Sequence, residues 1–183
     1  MKKFLTICLV GAFALAAASC SDKKEGNGSP DGTITVDGTA EKVGSAFYGY
    51  ENPDEFDEGC WTILLCRQIY SGIPTAEPEC YIGIEISDSC IGKTTDLTKR
   101  LAQSGTKTPY IGIAIPGRFL EIDDDSAEVY LNDDDDLSGI TVTSGSLLVT
   151  RDGDKFTVRL DVKFSDGVSA AANWGGTATK VAM

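Results

Sequence analysis

Residues 155–165 read KFTVRLDVKFS, and this stretch decides the class of the fold. From 156 to 164 an apolar side chain occupies every second position, and a polar one lies at each position between. The apolar residues are Phe156, Val158, Leu160, Val162 and Phe164. A period of two is typical of a β-strand with one face on a core and the other in solvent. The stretch therefore predicts a long amphipathic strand.

The dipeptides on either side of this strand predict tight turns. Asp152-Gly153 precedes the strand and Asp166-Gly167 follows it. Asp-Gly is favoured in two-residue hairpin loops because glycine adopts a positive φ without steric cost. Strands at 146–151 and 168–179 are therefore predicted to pair with 155–165 as an antiparallel meander.

Short strands separated by turn-forming residues are also predicted upstream of the meander. They lie at 33–36, 40–50, 61–70, 81–87, 110–115, 127–131 and 140–143. Strands that recur about every eight to twelve residues indicate a single antiparallel β-sandwich or barrel. We expect this all-β domain to span residues 32–183. At most one short helix is expected, at 95–101, with Thr95 as its N-cap.

Charge and composition exclude several classes of function. The chain has 183 residues, 16 Lys and Arg against 28 Asp and Glu, a formal net charge of −12, and no histidine. A polyanionic surface repels phosphate backbones, so we expect no nucleic-acid partner. Without histidine, the chain lacks the commonest general base and the commonest zinc ligand. Since no catalytic motif is intact either, we expect no enzymatic activity and no cofactor.

The N-terminus has the pattern of a secretory signal peptide. Lys2 and Lys3 precede an uncharged run at 4–18, which ends in small residues before Cys20. This run is shorter than the roughly 20 apolar residues that a membrane-spanning helix needs. A basic start, an apolar middle and a small-residue end predict that residues 1–19 are removed after export.

The segment LAAASC at 15–20 resembles the lipobox of bacterial lipoproteins. The charged run SDKKE at 21–25 and the GNGSP tether after it are similar to the export signal of Bacteroidetes-type surface lipoproteins. The resemblance implies that Cys20 is acylated and anchors the chain in the outer membrane, on the cell surface. Residues 20–31 are then a lipidated, disordered tether. Stable anchoring takes about two acyl chains, which the family's acylated cysteine supplies.

Four cysteines remain in the exported domain, an even number that suggests disulfides in an oxidising compartment. Antiparallel pairing of the strands that carry them favours the nested bonds Cys66–Cys80 and Cys60–Cys90. This register needs a bulge or a flexible end near Asp88. Buried free thiols and a four-thiolate zinc site are the alternatives, although the Cys-x-x-Cys spacing usual for zinc is absent.

Two groups of side chains are candidates for ligand binding. Asn132, Asp134 and Asp136 place oxygens at alternate positions and form a weak calcium candidate, against the simpler interpretation of a solvated turn. Tyr48, Tyr50, Tyr70 and Trp174 are candidates for stacking on sugar rings. Aromatic residues in strands more often pack in the core, and Trp61 is assigned there because it shares a face with Ile63 and Leu65.

The sequence thus favours a lipid-anchored, non-enzymatic binding or adhesion module at the bacterial surface. Its partners are the membrane, through Cys20, and a glycan or protein ligand. One alternative is an accessory subunit of an envelope assembly that faces the periplasm. The other is a hydrolase that uses two carboxylates, which would have to converge in one cleft.

Overall fold

The computed structural model describes residues 31–53, 58–76, 78–98, 109–115, 118–122, 128–131 and 137–182. The predicted signal peptide, Cys20 and most of the tether lie outside this part of the chain, and so do Asn132, Asp134 and Asp136. The described residues form thirteen strands: β1 Asp31–Val36, β2 Thr39–Lys42, β3 Ser45–Glu51, β4 Cys60–Cys66, β5 Tyr81–Ser87, β6 Thr94–Asp96, β7 Tyr110–Ile115, β8 Arg118–Ile122, β9 Glu128–Leu131, β10 Leu137–Asp152, β11 Lys155–Phe164, β12 Ser169–Thr177 and β13 Thr179–Lys180.

The C-terminal meander is confirmed. Strand β11 pairs antiparallel with β10 on one side and with β12 on the other, so that Leu160 lies between Leu147 and Ala172. The five alternating apolar residues of β11 are buried, whereas most of the polar residues between them are exposed. Both turns use the glycines that the sequence indicated, since Gly153 has φ 61° and Gly167 has φ 90°.

The strands form two layers that share β10. One layer has the order β2-β1-β12-β11-β10-β6, and the other continues from β10 through β9, β8, β7, β5, β4 and β3 to β13. The first part of β10 pairs with β9 and the later part with β11, with an irregularity between Val142 and Ser144. A long strand with a bulge at its middle is a common way to turn a corner between sheets.

The core lies between the two layers, and the fold is an antiparallel β-sandwich, one of the two all-β architectures that the sequence predicted. Isoleucines of β4, β5 and β7 face the aliphatic residues of β10 and β11. Tyr48 of β3 contacts Phe156 of β11 across the core, with ring centroids 5.0 Å apart. A smaller apolar cluster of Phe47, Cys66 and Tyr81 lies apart from this core. Among the described residues, no helix is long and apolar enough to cross a bilayer.

Several predicted elements differ from the structure. The strands predicted at 140–143 and 146–151 are one strand, β10, and the strand predicted at 168–179 is divided into β12 and β13. The strand predicted at 40–50 is two strands, β2 and β3, and the strand predicted at 61–70 ends at Cys66. The helix predicted from Thr95 is wrong over its first residues, because Thr95 is buried in β6 opposite Leu147. Asp96 accepts hydrogen bonds from the backbone N–H and the hydroxyl of Thr98, at 3.0 and 2.6 Å, and so forms a turn after this strand. Residues 99–101 lie outside the described chain.

Candidate functional site

The four aromatic residues predicted to stack on sugars do not form one platform. Tyr48 and Trp174 are 4% and 1% exposed, so the prediction that they contact a ligand is wrong. Both point into the sandwich, because Tyr48 lies on the inner face of β3 and Trp174 on the inner face of β12. The Tyr48 hydroxyl donates to the carboxylate of Asp154. This hydrogen bond raises the pKa of Tyr48 above its ordinary value, and burial adds to the effect.

Tyr50 and Tyr70 are both partly exposed, but they lie in different clusters. Tyr50 packs against the main core, whereas Tyr70 packs edge-on against Phe47 of the smaller apolar cluster, with ring centroids 6.1 Å apart. The structure therefore offers two separate places at which an aromatic ring meets solvent.

The first place is a cluster of Tyr50, Trp61 and Asp88. The rings of Tyr50 and Trp61 lie 4.2 Å apart at their centroids. Both donate to the same carboxylate: the Tyr50 hydroxyl lies 2.7 Å from Asp88 Oδ2, and Trp61 Nε1 lies 2.6 Å from Asp88 Oδ1. The hydrogen bond to Asp88 is the main cause of the raised pKa of Tyr50. Trp61 itself is 8% exposed, as expected of a core residue.

A short 3₁₀ turn at Asp88–Cys90 holds this carboxylate in position. Glu58 accepts two hydrogen bonds from Ser89, one from its backbone N–H at 3.0 Å and one from its hydroxyl at 2.8 Å. The backbone N–H of Asp88 donates to the carbonyl of Gly59 at 2.9 Å. Because several bonds fix the turn, the two aromatic rings are fixed with it.

The four cysteines of the domain are thiols in the structure, and the predicted disulfides are not formed. The register of β4 and β5 explains why Cys66 and Cys80 are not bonded to each other. Strands β4 and β5 pair without a bulge, with Cys66 opposite Tyr81 and Cys60 opposite Ser87. Cys80 is therefore one residue out of register with Cys66, and successive residues of a strand face opposite sides of the sheet. Burial raises the pKa of the Cys66 thiol to about 12, with a further contribution from Cys80.

The second place is the loop between β4 and β5, residues 67–80, which we call the β4–β5 loop. It folds back over the start of β3, where the backbone N–H of Tyr70 donates to Ser45 Oγ at 2.8 Å. A Cβ atom at Gly44 would overlap the carbonyl oxygen of Arg67, so only glycine permits this approach. Arg67, at the start of the loop, forms ion pairs with Glu41 of β2 and with Glu79 at the end of the loop. The distances are 3.4 Å from Nη1 to Glu41 Oε1 and 3.6 Å from Nη2 to Glu79 Oε2.

This loop lines an open concavity of about 430 Å³ on the protein surface. Its lining combines polar side chains with apolar surface, and includes Gln68, Tyr70, Ile73, Thr75 and Glu79. Gln68 Oε1 is shielded from solvent and has no hydrogen-bond partner, although the rest of its side chain is only partly buried. A buried amide oxygen without a hydrogen-bond partner among the described residues costs stability.

The sequence indicated Tyr70 but not Gln68 as a site residue. It could have found the loop, because the turn formers Ser71-Gly72 and Pro74 directly follow the strand predicted at 61–70. The burial of Gln68 Oε1 without a partner could not be predicted, since it depends on how the loop folds over β3.

Comparisons with known proteins add no relative. No family, no curated protein and no solved structure matches this chain. Within the described ranges, no group of three or more acidic or cysteine side chains is arranged to hold a metal ion.

Proposed function

We propose that this protein is a non-enzymatic binding module, anchored by an acylated Cys20 at the cell surface, and that the β4–β5 loop binds a neutral saccharide. The observation that carries the proposal is the open concavity of this loop, which Gln68, Tyr70 and Glu79 line. A volume of about 430 Å³ falls within the usual range for small-molecule sites.

A saccharide fits this lining better than a fully apolar ligand. Its hydroxyl groups are donors for the carboxylate of Glu79, and both donors and acceptors for Thr75. Its C–H faces pack on aromatic and aliphatic side chains, which Tyr70 and Ile73 supply. A neutral ligand is favoured because Glu41 and Glu79 outnumber Arg67 beside the concavity, and a carboxylate would be repelled.

The anchor part of the proposal is supported by the resemblance at residues 15–25, and a separate experiment tests it. Intact cells that express the full chain are treated with protease, and a Cys20→Ala variant is fractionated beside the wild type. We expect the wild type to be shaved from the surface and the variant to leave the membrane fraction. Protection of the wild type, with a surface control digested, would favour the accessory subunit that faces the periplasm.

The binding part is tested on the mature, full-length chain with a panel of neutral oligosaccharides. We expect Tyr70→Ala and Gln68→Ala to weaken the binding of the selected sugar by about tenfold or more, because each removes a direct contact. Ile69→Ser is the matched control, since Ile69 lies in the same loop, is 86% exposed and does not line the concavity. Unchanged binding in the Tyr70 and Gln68 variants would refute the loop site.

The same panel addresses the carboxylate hydrolase. New reducing ends that accumulate during the incubation, and that a heat-treated sample does not produce, would contradict a non-enzymatic module. No such release is expected.

A further inference from the structure

We infer that the guanidinium of Arg151, together with Trp61 and Tyr50, forms a binding site for the carboxylate of an acidic sugar. Arg151 lies next to the β10–β11 turn, with its Cζ 4.0 Å from the centroid of the Trp61 ring and 5.8 Å from that of Phe156. The inference rests on the proposed function as a saccharide-binding module, but it concerns a place away from the β4–β5 loop.

Arg151 is held by aromatic rings and not by an acid. Arg151 is exposed, and within the described ranges no carboxylate lies within 4.0 Å of its guanidinium nitrogens. This is unexpected in a chain whose net charge is −12. By contrast, Arg67 contacts two glutamates. A guanidinium that stacks on an indole keeps its N–H groups at the edge of the plane for a ligand. The planar fork of these groups matches the two oxygens of a carboxylate.

The Trp61 ring beneath Arg151 and the Tyr50 ring beside it are fixed in advance. Asp88 accepts from both Tyr50 and Trp61, at 2.7 and 2.6 Å, so neither ring can rotate without losing a charge-assisted hydrogen bond. The polar atoms of both rings are also occupied by this carboxylate. A ligand anion therefore meets donors on Arg151, and a site held rigid before binding loses less entropy when the ligand arrives.

The partly exposed ring of Tyr50 favours a sugar over an acidic peptide. This ring lies beside the indole that carries the guanidinium, and offers a face for the C–H groups of a pyranose. A uronic acid or a sialic acid presents a carboxylate and such C–H groups together. An acidic peptide would meet the same repulsion from a strongly acidic chain without a pyranose face to pack on Tyr50.

Tryptophan fluorescence can report on this site alone. The chain has two tryptophans, Trp61 and Trp174, and Trp174 is buried in β12. In a Trp174→Phe background, emission comes only from the indole beneath Arg151. The probes are trigalacturonic acid, its methyl ester and sialyllactose, each titrated into the mature, full-length chain. The methyl ester keeps the sugar and masks the carboxylates, and sialyllactose distinguishes a sialic from a uronic acid.

We expect at least one free acid to change the emission of Trp61 and the methyl ester to bind at least tenfold more weakly than its acid. Arg151→Gln should abolish the response, whereas Arg159→Gln, at an exposed arginine of β11, should leave it unchanged. Circular dichroism of both variants confirms that they are folded. Equal affinity of acid and ester, equal affinity of wild type and Arg151→Gln, or no binding of any acid would overturn the inference.

The loop variants distinguish this failure from failure of the proposed function. Tyr70→Ala should leave acid binding unchanged, and Arg151→Gln should leave neutral-sugar binding unchanged. If acidic sugars depend on Tyr70 and not on Arg151, the Arg151 site is refuted while the loop site remains. If only Arg151 matters for every sugar, the loop site is refuted.

Discussion

Replacing Leu160 by alanine tests the register of the meander on which the fold rests. Leu160 is 3% exposed and lies between Leu147 and Ala172 on the neighbouring strands. The change removes three buried carbon atoms, worth about 2.4 kcal/mol of transfer free energy at ~0.8 kcal/mol each. Incomplete closure of the cavity adds roughly 1 kcal/mol, for a loss of about 3–4 kcal/mol.

The loss is large against the roughly 5–15 kcal/mol that stabilises a typical domain. For a chain of this size it corresponds to a fall in Tm of about 10 °C. Urea unfolding followed by circular dichroism measures the free energy, and calorimetry measures the Tm. Arg159→Ala is the matched control, because the neighbouring residue is exposed on the other face of β11, and it should cost no more than about 0.5 kcal/mol. Equal losses at the two positions would show that the assignment of inner and outer faces is wrong.

Three further predictions concern single residues. Trp174→Phe should destabilise the domain by only about 1–2 kcal/mol in urea unfolding, because loss of an indole N–H with no acceptor among the described residues offsets part of the cost of the cavity. A loss above about 3 kcal/mol would contradict this offset. Gly44→Ala should destabilise the domain strongly, because a Cβ atom there meets the backbone of Arg67. Gly72→Ala is the control and should be tolerated, because a Cβ atom there has open space. Similar thermal shifts for the two variants would contradict the close approach of the β4–β5 loop to Gly44. Burial raises the pKa of Cys66 from 9.0 to about 12, so iodoacetamide at pH 8 should label this thiol far more slowly in the native than in the unfolded protein. The contribution of the buried thiol to stability should be lost as the pH rises from about 9 towards 12. Rapid labelling of the native protein, measured by mass spectrometry, would show that the thiol is accessible.

The local sequence pattern predicted the structure correctly for β11, which has one face in the core and the other in solvent. The alternation in β11 and the two Asp-Gly turns predicted the meander, because burial of one face and the φ of a turn glycine are properties of neighbouring residues. The strand predicted at 81–87 is also present as β5, although this strand is buried on both faces. The pattern did not show where a strand ends. Residues 40–50 and 61–70 were each predicted to be one strand, but the strands are interrupted at Gly44 and end before Arg67.

The sequence also missed what depends on register. Whether Cys66 faces Cys80 turns on a single residue of offset between β4 and β5, and composition carries no such information. Thr95 was predicted to cap a helix from its local neighbours, but pairing with Leu147 of β10 makes it part of a strand. A non-local ladder therefore overrode the local signal, as is common for short segments.

The sequence by itself determined that this chain is an acidic, all-β domain without histidine chemistry, and it predicts an anchor at Cys20. These are properties of composition and short-range period, which need no knowledge of distant contacts. Only the tertiary structure decided which aromatic residues meet solvent, since the faces of Tyr48 and Tyr50 depend on what lies across the sandwich. It also placed Arg151 over Trp61 and left Gln68 Oε1 without a partner, because both arrangements join residues far apart in sequence through the packing of two sheets and a loop.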